Sequence, residues 1–435
     1  MRGAGEVRVC IVGGGPTGIG LAKEFGEAGI PFDLLEAEAD FGGVWNRSAR
    51  CGRVYDSAHL ISPKSNTQFS DFPMPADYPD YPSHRQMLAY IRSYARRFGV
   101  YEGAVFNASV VRLSKAAGGW RVGLASGEER DYGMVYVCNG AQRVAQYPDP
   151  PIRGPRSFEE MHSLEYRSPS QLRGKRVLVM GAGNSGCDIV IDAVHHAEAV
   201  YLSARRGYYF QPKYISGKPT PEWMMELGSK FETREETLAY IREVFKLAGF
   251  EGADYGLRAP DYPLDACHPV MNSQLLYHVG HGDVGVKGDV ERFDGREVVF
   301  CGGDRVEVDL VLYATGYRRQ LDFLDPRQLE WRGGLPDLFL HMMPRNHDDL
   351  FFYGYYNLVG GLGNVVRMVS LFAVDYIRAR QRGARGYRNF LEAKRKEDPD
   401  LGRGYFVNSL RHRWEVDLWK FLKVVNRYRG LINEQ

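Results

Sequence analysis

Two observations predict an α/β fold with two parallel sheets. Val7 to Val12 (VRVCIV) is a short apolar run that ends in a glycine loop, and helix-like sequence follows from Thr17 to Ala28 before a second run, Phe32 to Leu35, ends at Glu36. The same order then recurs 168 residues on, counted from Gly13 to Gly181. Arg176 to Met180 runs into that loop, a helical stretch reaches about Val194, and Ala199 to Ser203 is the next strand. A strand, helix and strand in this order predict parallel pairing through right-handed crossovers.

The elements between and after these units follow in chain order. Phe72 to Pro82 is rich in Pro and Tyr and too irregular for a regular element. Leu88, Ile91, Ala95 and Phe98 stand at helical spacing, and Pro148 to Pro155 reads as a linker. Residues 207–285 form a long mixed insertion with a helix over Glu235 to Leu247, expected to pack near a ligand site. Val365 to Ala379 and Trp414 to Tyr428 close the chain as helices. In the second, Trp414, Leu418, Phe421, Leu422 and Val425 share one face, which predicts packing on the body rather than on a membrane.

Composition excludes several classes. Lys and Arg total 56 against 54 Asp and Glu, so no basic field is available for nucleic acid. The six cysteines include no CxxC or CxxxxC pair, which argues against metal knuckles, a redox dithiol or a disulfide scaffold. No apolar run approaches the roughly 18 residues that span a bilayer. A cytoplasmic protein with no metal centre is expected, and a homodimer is compatible with these features.

The loops carry the chemistry. Gly13-Gly14-Gly15-Pro16-Thr17-Gly18 fits GxGxxG directly after a strand. Gly13 allows the turn, Gly15 lets backbone reach a pyrophosphate, and Gly18 lets helix and strand pack closely. The helix start offers free N–H groups to phosphate. Glu36, eighteen residues past Gly18, is placed to accept from ribose hydroxyls. Gly181-Ala182-Gly183-Asn184-Ser185-Gly186 repeats the loop, but Ala204 stands where the first unit has Glu36, and Arg205 and Arg206 follow. Two guanidiniums without a carboxylate favour a 2′-phosphate, with Ser203 as a further donor; the alternative is a solvated strand exit. Two different dinucleotides are implied, and FAD with NADPH is the simplest pair.

These motifs resemble the flavin-containing monooxygenases over nearly the whole chain. Gly42-Gly43-Val44-Trp45 looks like the family's GGxW segment, and Asp71-Phe72-Pro73-Met74-Pro75 resembles its DFPxP stretch. Val137-Cys138-Asn139-Gly140 and Asp309 to Tyr317 (DLVLYATGY) are similar to the family's two strand-to-turn segments. The resemblance implies that Val44 and Trp45 line FAD, that Thr315 and Gly316 lie close to it, and that Val110, in a strand over Ala108 to Leu113, holds the adenine. The family's FxGxxxHxxx(Y/F) motif is matched at His162 and Tyr166, while Arg156 and Phe158 replace its Phe and Gly. His162 reads equally as a mechanistic residue and as linker packing. Ten residues before the Asp of DFPxP the family carries an Asn beside the flavin, and here Ile61 stands there, with Ser62 or His59 as substitutes and Asn66 nearby.

The domain expectation is therefore an FAD-binding unit over 1–165 and 313–435, with a Rossmann-like NADP-binding unit, 166–312, inserted into it. The activity implied is an NADPH-dependent monooxygenase that passes one oxygen atom from O₂ to a small molecule, at nitrogen or sulfur, through a hydroperoxide at the flavin C4a carbon. Ile61 and Ser62 are the flavin-side pocket candidates. The alternatives are an NADPH oxidase releasing H₂O₂, and a Baeyer–Villiger-type or hydroxylating monooxygenase. The helix near Asn364, after Gly360 to Gly363, either points its N-terminus at the flavin or is simply capped by glycine.

Overall fold

A computed structural model describes residues 8–228, 230–360, 362–409 and 412–434. Val7 and Gly361, included in the expected elements, lie outside the described residues.

Val9–Val12 is the middle strand of a five-stranded parallel sheet. Phe32–Leu35 and Met134–Val137 flank it, Ala104–Val105 lies beyond the first and Leu350–Phe352 beyond the second. Helices cover the face that carries Val9 and Ile11, and an antiparallel sheet containing Trp120 and Val122 covers the face that carries Cys10 and Val12, so the central strand reads as a continuous apolar run rather than an alternation. The second sheet repeats this plan with Arg176–Met180 inside, between Ala199–Ser203 and Leu310–Tyr313. Gly285–Lys287 and Glu159–His162 form its edges. Glu159–His162 precedes residue 166 yet pairs only in the second sheet, while Leu350–Phe352 returns the chain to the first.

Both loops are built alike down to single atoms. A Cβ on Gly18 would stand 2.0 Å from the Gly13 carbonyl oxygen, and one on Gly186 would stand 1.9 Å from that of Gly181. Helix and loop therefore touch at a distance that only glycine permits. Beside the loops, a Cβ on Gly13 would meet the Cys138 oxygen at 2.7 Å and one on Gly181 the Ala314 oxygen at 2.6 Å. Asn139-Gly140 and Thr315-Gly316 thus occupy equivalent places in the two sheets.

The expected strand over Ala108 to Leu113 is instead Val110–Ala116, in an antiparallel sheet with Gly119–Leu124 and Glu129–Tyr132. The hairpin partner, not the local run, sets its length. The insertion packs Thr220–Leu227 and Arg234–Leu247 around Ile215, Leu227, Ile241, Phe245 and Leu264. It docks on the irregular segment of the first unit, where the Tyr81 hydroxyl donates to the Lys213 carbonyl at 2.6 Å.

Three helices, Leu362–Arg382, Arg385–Lys396 and Leu418–Ile432, close the first unit. The last buries Phe421, Val425, Tyr428 and Ile432, while Leu418 and Leu422 are half-buried. Trp414 lies outside this helix, in the short turn His412–Trp414, with the Arg319 guanidinium 4.3 Å above its ring. Asp417 caps the helix by accepting from the Lys420 N–H, which moves the start four residues past Trp414. Tyr353, Tyr355 and Tyr356 are buried in the apolar core. Among the described residues no helix is long and apolar enough to cross a membrane.

Candidate functional site

A cavity of about 530 Å³ opens at the carboxyl end of the first sheet. The loop residues Gly13, Gly15, Pro16 and Thr17 line it, with Glu36 at the end of the next strand. Val44 and Trp45 of the GGxW turn and Val110 complete the set that the sequence nominated here. Gly18 stands behind the loop, where it admits the helix.

Glu36 is 5% exposed, and its oxygens accept from the Gly14 N–H at 2.5 Å and the Glu38 N–H at 2.9 Å. Burial pushes its pKa up, and these backbone donors work against that. The carboxylate is fixed in place before any ligand arrives. Arg143 lines the same cavity, close enough to Glu36 to act on its charge, and its Nε is buried with no partner. An orphaned guanidinium N–H is costly unless something anionic meets it. Arg53, itself 8% exposed, donates to the carbonyls of Gln142 and Arg143 at 2.8 and 3.2 Å and so holds that turn.

Asn139, Gln320, Gly354 and Leu362 line the cavity as well. The Asn139 amide donates to the Gln320 carbonyl at 2.8 Å and its oxygen accepts from the Tyr355 hydroxyl at 2.9 Å. These residues and Arg143 were not nominated from the sequence. The signals were the strand-to-turn segment Val137 to Gly140 and the glycine-flanked helix start at Leu362; Gly354, also from the far end of the chain, carried none. The anionic pyrophosphate and ribose hydroxyls of a dinucleotide fit this donor set: glycine backbone at the helix start, a fixed carboxylate and an unpaired arginine N–H.

Ile61 and Ser62 are not among the residues that line this cavity. The Ser62 hydroxyl is 2.8 Å from that of Thr67, within the turn that packs the short helix Lys64–Thr67 against Leu362–Arg382. Asn66 faces the insertion, with its amide 4.0 Å from the Met225 sulfur. Thr315 and Gly316 are likewise outside the cavity lining. Their partner is Gln146: the Thr315 hydroxyl donates to its carbonyl, and its N–H donates to Gly316 at 3.0 Å. They stand beside the second loop because their strand belongs to the second sheet.

At that loop, the Asn184 amide donates to the Pro269 carbonyl at 2.9 Å and its oxygen accepts from the Met271 N–H at 2.9 Å. Asn184 thus pins the end of the insertion to the helix start, with Gly183 as the helix N-cap and Ser185 in the first turn. Arg205 and Arg206 are exposed and make no ion pair among the described residues. Ser203 requires a correction: it is buried, and its hydroxyl donates to the Gly288 carbonyl at 2.7 Å, so its proton is not offered to a phosphate. His162 is fully buried between the rings of Tyr147 and Tyr317, at 5.3 and 5.4 Å. Its Nδ1 accepts from the Leu164 N–H at 3.0 Å, and burial lowers its pKa, which describes a neutral packed ring.

Comparison with known proteins agrees with this geometry. The family model for flavin-binding monooxygenase-like proteins matches residues 6–383. A probable indole-3-pyruvate monooxygenase of Arabidopsis thaliana, YUCCA9, is 30% identical over 350 residues, 75% of this chain and 79% of that protein. Flavin-containing monooxygenase 5 of Oryctolagus cuniculus is 31% identical over 338 residues, 73% of this chain and 63% of that protein. Among solved structures, a flavin-containing monooxygenase from Stenotrophomonas maltophilia superposes with a TM-score of 0.66 at 20% identity, covering 87% of this chain and 99% of that one. Open cyclohexanone monooxygenase gives 0.71 at 17% identity, covering 99% and 97%. These two show a shared two-unit fold. The chain belongs to the flavin-binding monooxygenase-like family and is a flavin-dependent monooxygenase that uses FAD and NADPH.

Proposed function

We propose that this chain transfers one oxygen atom from O₂ to the nitrogen or sulfur of a small molecule. The observation that carries the reading is the make-up of the first cavity. Among its lining residues, Glu36 is tied to two backbone N–H groups, and no histidine or lysine is present to act as an acid or base. Reduced FAD supplies the activated oxygen when bound, and a soft nucleophile then needs little from side chains beyond exclusion of water. The roles proposed for this chain's own residues follow from their places. Gly13, Gly15, Pro16, Thr17 and Gly18 hold the FAD pyrophosphate, with Arg143 as its counter-charge, and Glu36 holds the ribose. Val44, Trp45 and Val110 wall the cofactor, and Leu362 closes the far end. Gly181, Gly183, Asn184, Ser185 and Gly186 hold the NADP pyrophosphate, and Arg205 and Arg206 its 2′-phosphate. On this reading the NADP-binding unit spans the chain from about Glu159 to Tyr313, inserted into the FAD-binding unit. Six cysteines without a disulfide suit a cytoplasmic setting.

A carbonyl substrate is the second reading, and it rests on two comparisons. The relative named for indole-3-pyruvate acts on a 2-oxo acid, and the structural neighbour named for cyclohexanone acts on a ketone. Ile61, which neither donates nor accepts, leaves a third outcome, peroxide release without transfer. One assay separates all three: NADPH consumption by the FAD-loaded protein against amines, sulfides, ketones and 2-oxo acids, with product and H₂O₂ both quantified. N- or S-oxide matching the NADPH consumed supports the proposal. Ester or decarboxylated product, or stoichiometric H₂O₂ with every compound, overturns it.

A further inference from the structure

Between the two units lies a buried polar seam that neither nucleotide loop requires. Asp188 and Asp192 stand one turn apart on the helix Asn184–Val194 of the second unit. Both face the segment of the first unit that follows its GGxW turn. The Tyr55 hydroxyl donates to Asp188 at 2.7 Å, and the Ser57 hydroxyl donates to Asp192 at 2.6 Å. Tyr166, fully buried, donates to the same oxygen of Asp192 at 2.8 Å, and the Asn272 amide donates to Asp188 at 3.2 Å. Neither carboxylate has an ion pair among the described residues, and Asp192 is 8% exposed. Val54, Tyr55 and Ala58 pack into the apolar core of the second unit, and the Asp56 N–H donates to the Arg167 carbonyl at 3.0 Å.

Two carboxylates hydrogen-bonded by neutral donors, Asp192 buried and Asp188 half-buried with the Lys213 ammonium acting on it from beyond ion-pair distance, are a poor way to gain stability, because desolvating a charge costs several kcal/mol (about the size of the interactions returned). They are a good way to fix geometry, because each hydroxyl satisfies its acceptor only over a narrow range of position. The helix that carries them begins at the second glycine loop, and the segment that meets them leads back through Arg53 to the turn bearing Arg143. We propose that Asp188 and Asp192 are positioning residues that set the angle of the second unit on the first, and with it the reach of the dihydronicotinamide to the flavin. This rests on the two-cofactor reading above.

The test replaces both donors on the first unit, Tyr55→Phe with Ser57→Ala, and leaves each carboxylate in place. Flavin reduction by NADPH is followed anaerobically by stopped flow, with NADP⁺ affinity measured by calorimetry. The limiting reduction rate should fall about 10- to 100-fold, the usual scale for a misplacement near 1 Å, while NADP⁺ affinity stays within about twofold. A second arm reads the angle itself. Spin labels at E128C on the first unit and E291C on the second, in a C301S background, should give one narrow distance distribution in the parent and a broadened one in the double variant. An unchanged rate with an unchanged distribution overturns the proposal, as does a loss of NADP⁺ affinity with the distribution unchanged. If the parent is not reduced by NADPH, the two-cofactor reading fails while the distance arm still decides the seam. If the double variant does not fold, Ser57→Ala alone removes one donor of the first unit and is read in the same two ways.

Discussion

Glu36 is a residue whose place in the first cavity was legible because its position is local. It ends the strand that follows the glycine loop, and the spacing from Gly18 is enough to find it. Removing it takes away an anchored acceptor for the ribose hydroxyls, and hydrogen bonds to a charged group are worth about 1.5–3 kcal/mol. Glu36→Ala should weaken FAD binding about 10- to 100-fold in a titration of the apoprotein; a change within about twofold would remove Glu36 from the ribose site. Arg205 makes a second residue-scale case, since it is exposed and unpaired at the strand end. Arg205→Ala should raise the KM for NADPH about tenfold or more and leave that for NADH nearly unchanged. Equal shifts for both would mean that it does not read the 2′-phosphate. Ser203 and Arg143 show where local reading stops. The acceptor that consumes the Ser203 proton is Gly288, 85 residues away and just past a neighbouring strand, and no spacing rule announces it. Arg143 reaches the first cavity because Arg53 holds its turn from the other side of the GGxW segment.

Elements were readable where their own sequence sets them and misread where a partner does. Both parallel sheets follow from apolar runs and glycine loops, whereas Val110–Ala116 takes its length from a hairpin partner and Leu418–Ile432 takes its start from the Asp417 cap. The helix Leu362–Arg382 is placed by contact too. A Cβ on Gly363 would lie 1.8 Å from the Gln68 carbonyl oxygen, so its first turn touches the backbone at the end of the short helix Lys64–Thr67. Gly363→Ala must push that turn away, and overpacking of this kind costs about 1–3 kcal/mol. Because Leu362 lines the cavity, the variant should lose both melting temperature and FAD retention, and loss of one without the other would uncouple the helix start from the site. The turn joining Leu338–Phe339 to Met343–Pro344 carries a pH dependence. His341 is buried there, and burial pushes its pKa down to about 3, with Arg403 and Arg319 acting in the same direction. The unfolded chain takes up the proton near pH 6.5 and the folded one does not. Stability is therefore greatest above pH 6.5 and falls as pH drops toward 3, by about 2 kcal/mol at pH 5 from this group. His341→Phe should flatten the fall in unfolding midpoint between pH 7 and 5, and an unchanged slope would assign it to other groups.

At the scale of the whole molecule, the first sheet joins residues near the start of the chain to Leu350–Phe352, and its cavity joins Gly13 to Leu362. A dinucleotide held there bridges both flanks of the inserted unit. The inserted unit shares its core with the first, because Val54, Tyr55 and Ala58 lie in it and Trp45 packs against the cores of both units, and joint opening is the expectation. Opening the second sheet uncovers the segment that leads to Arg53 and so loosens the turn carrying Arg143. That coupling was invisible in the sequence, where residues 53–58 carry no motif and the two loops look like independent modules. It makes a definite expectation for ligand linkage. FAD at about 100 times its dissociation constant stabilises the state that binds it by about 2.7 kcal/mol, which slows exchange through that opening about 100-fold. If the units open together, amide hydrogen exchange in Arg176–Met180 should slow by the same factor as in Val9–Val12 when FAD is added, although no residue of Arg176–Met180 lines the first cavity, the proposed FAD site. Protection confined to Val9–Val12 and its neighbours would show two units that open separately, and the seam would then orient them without joining their stability.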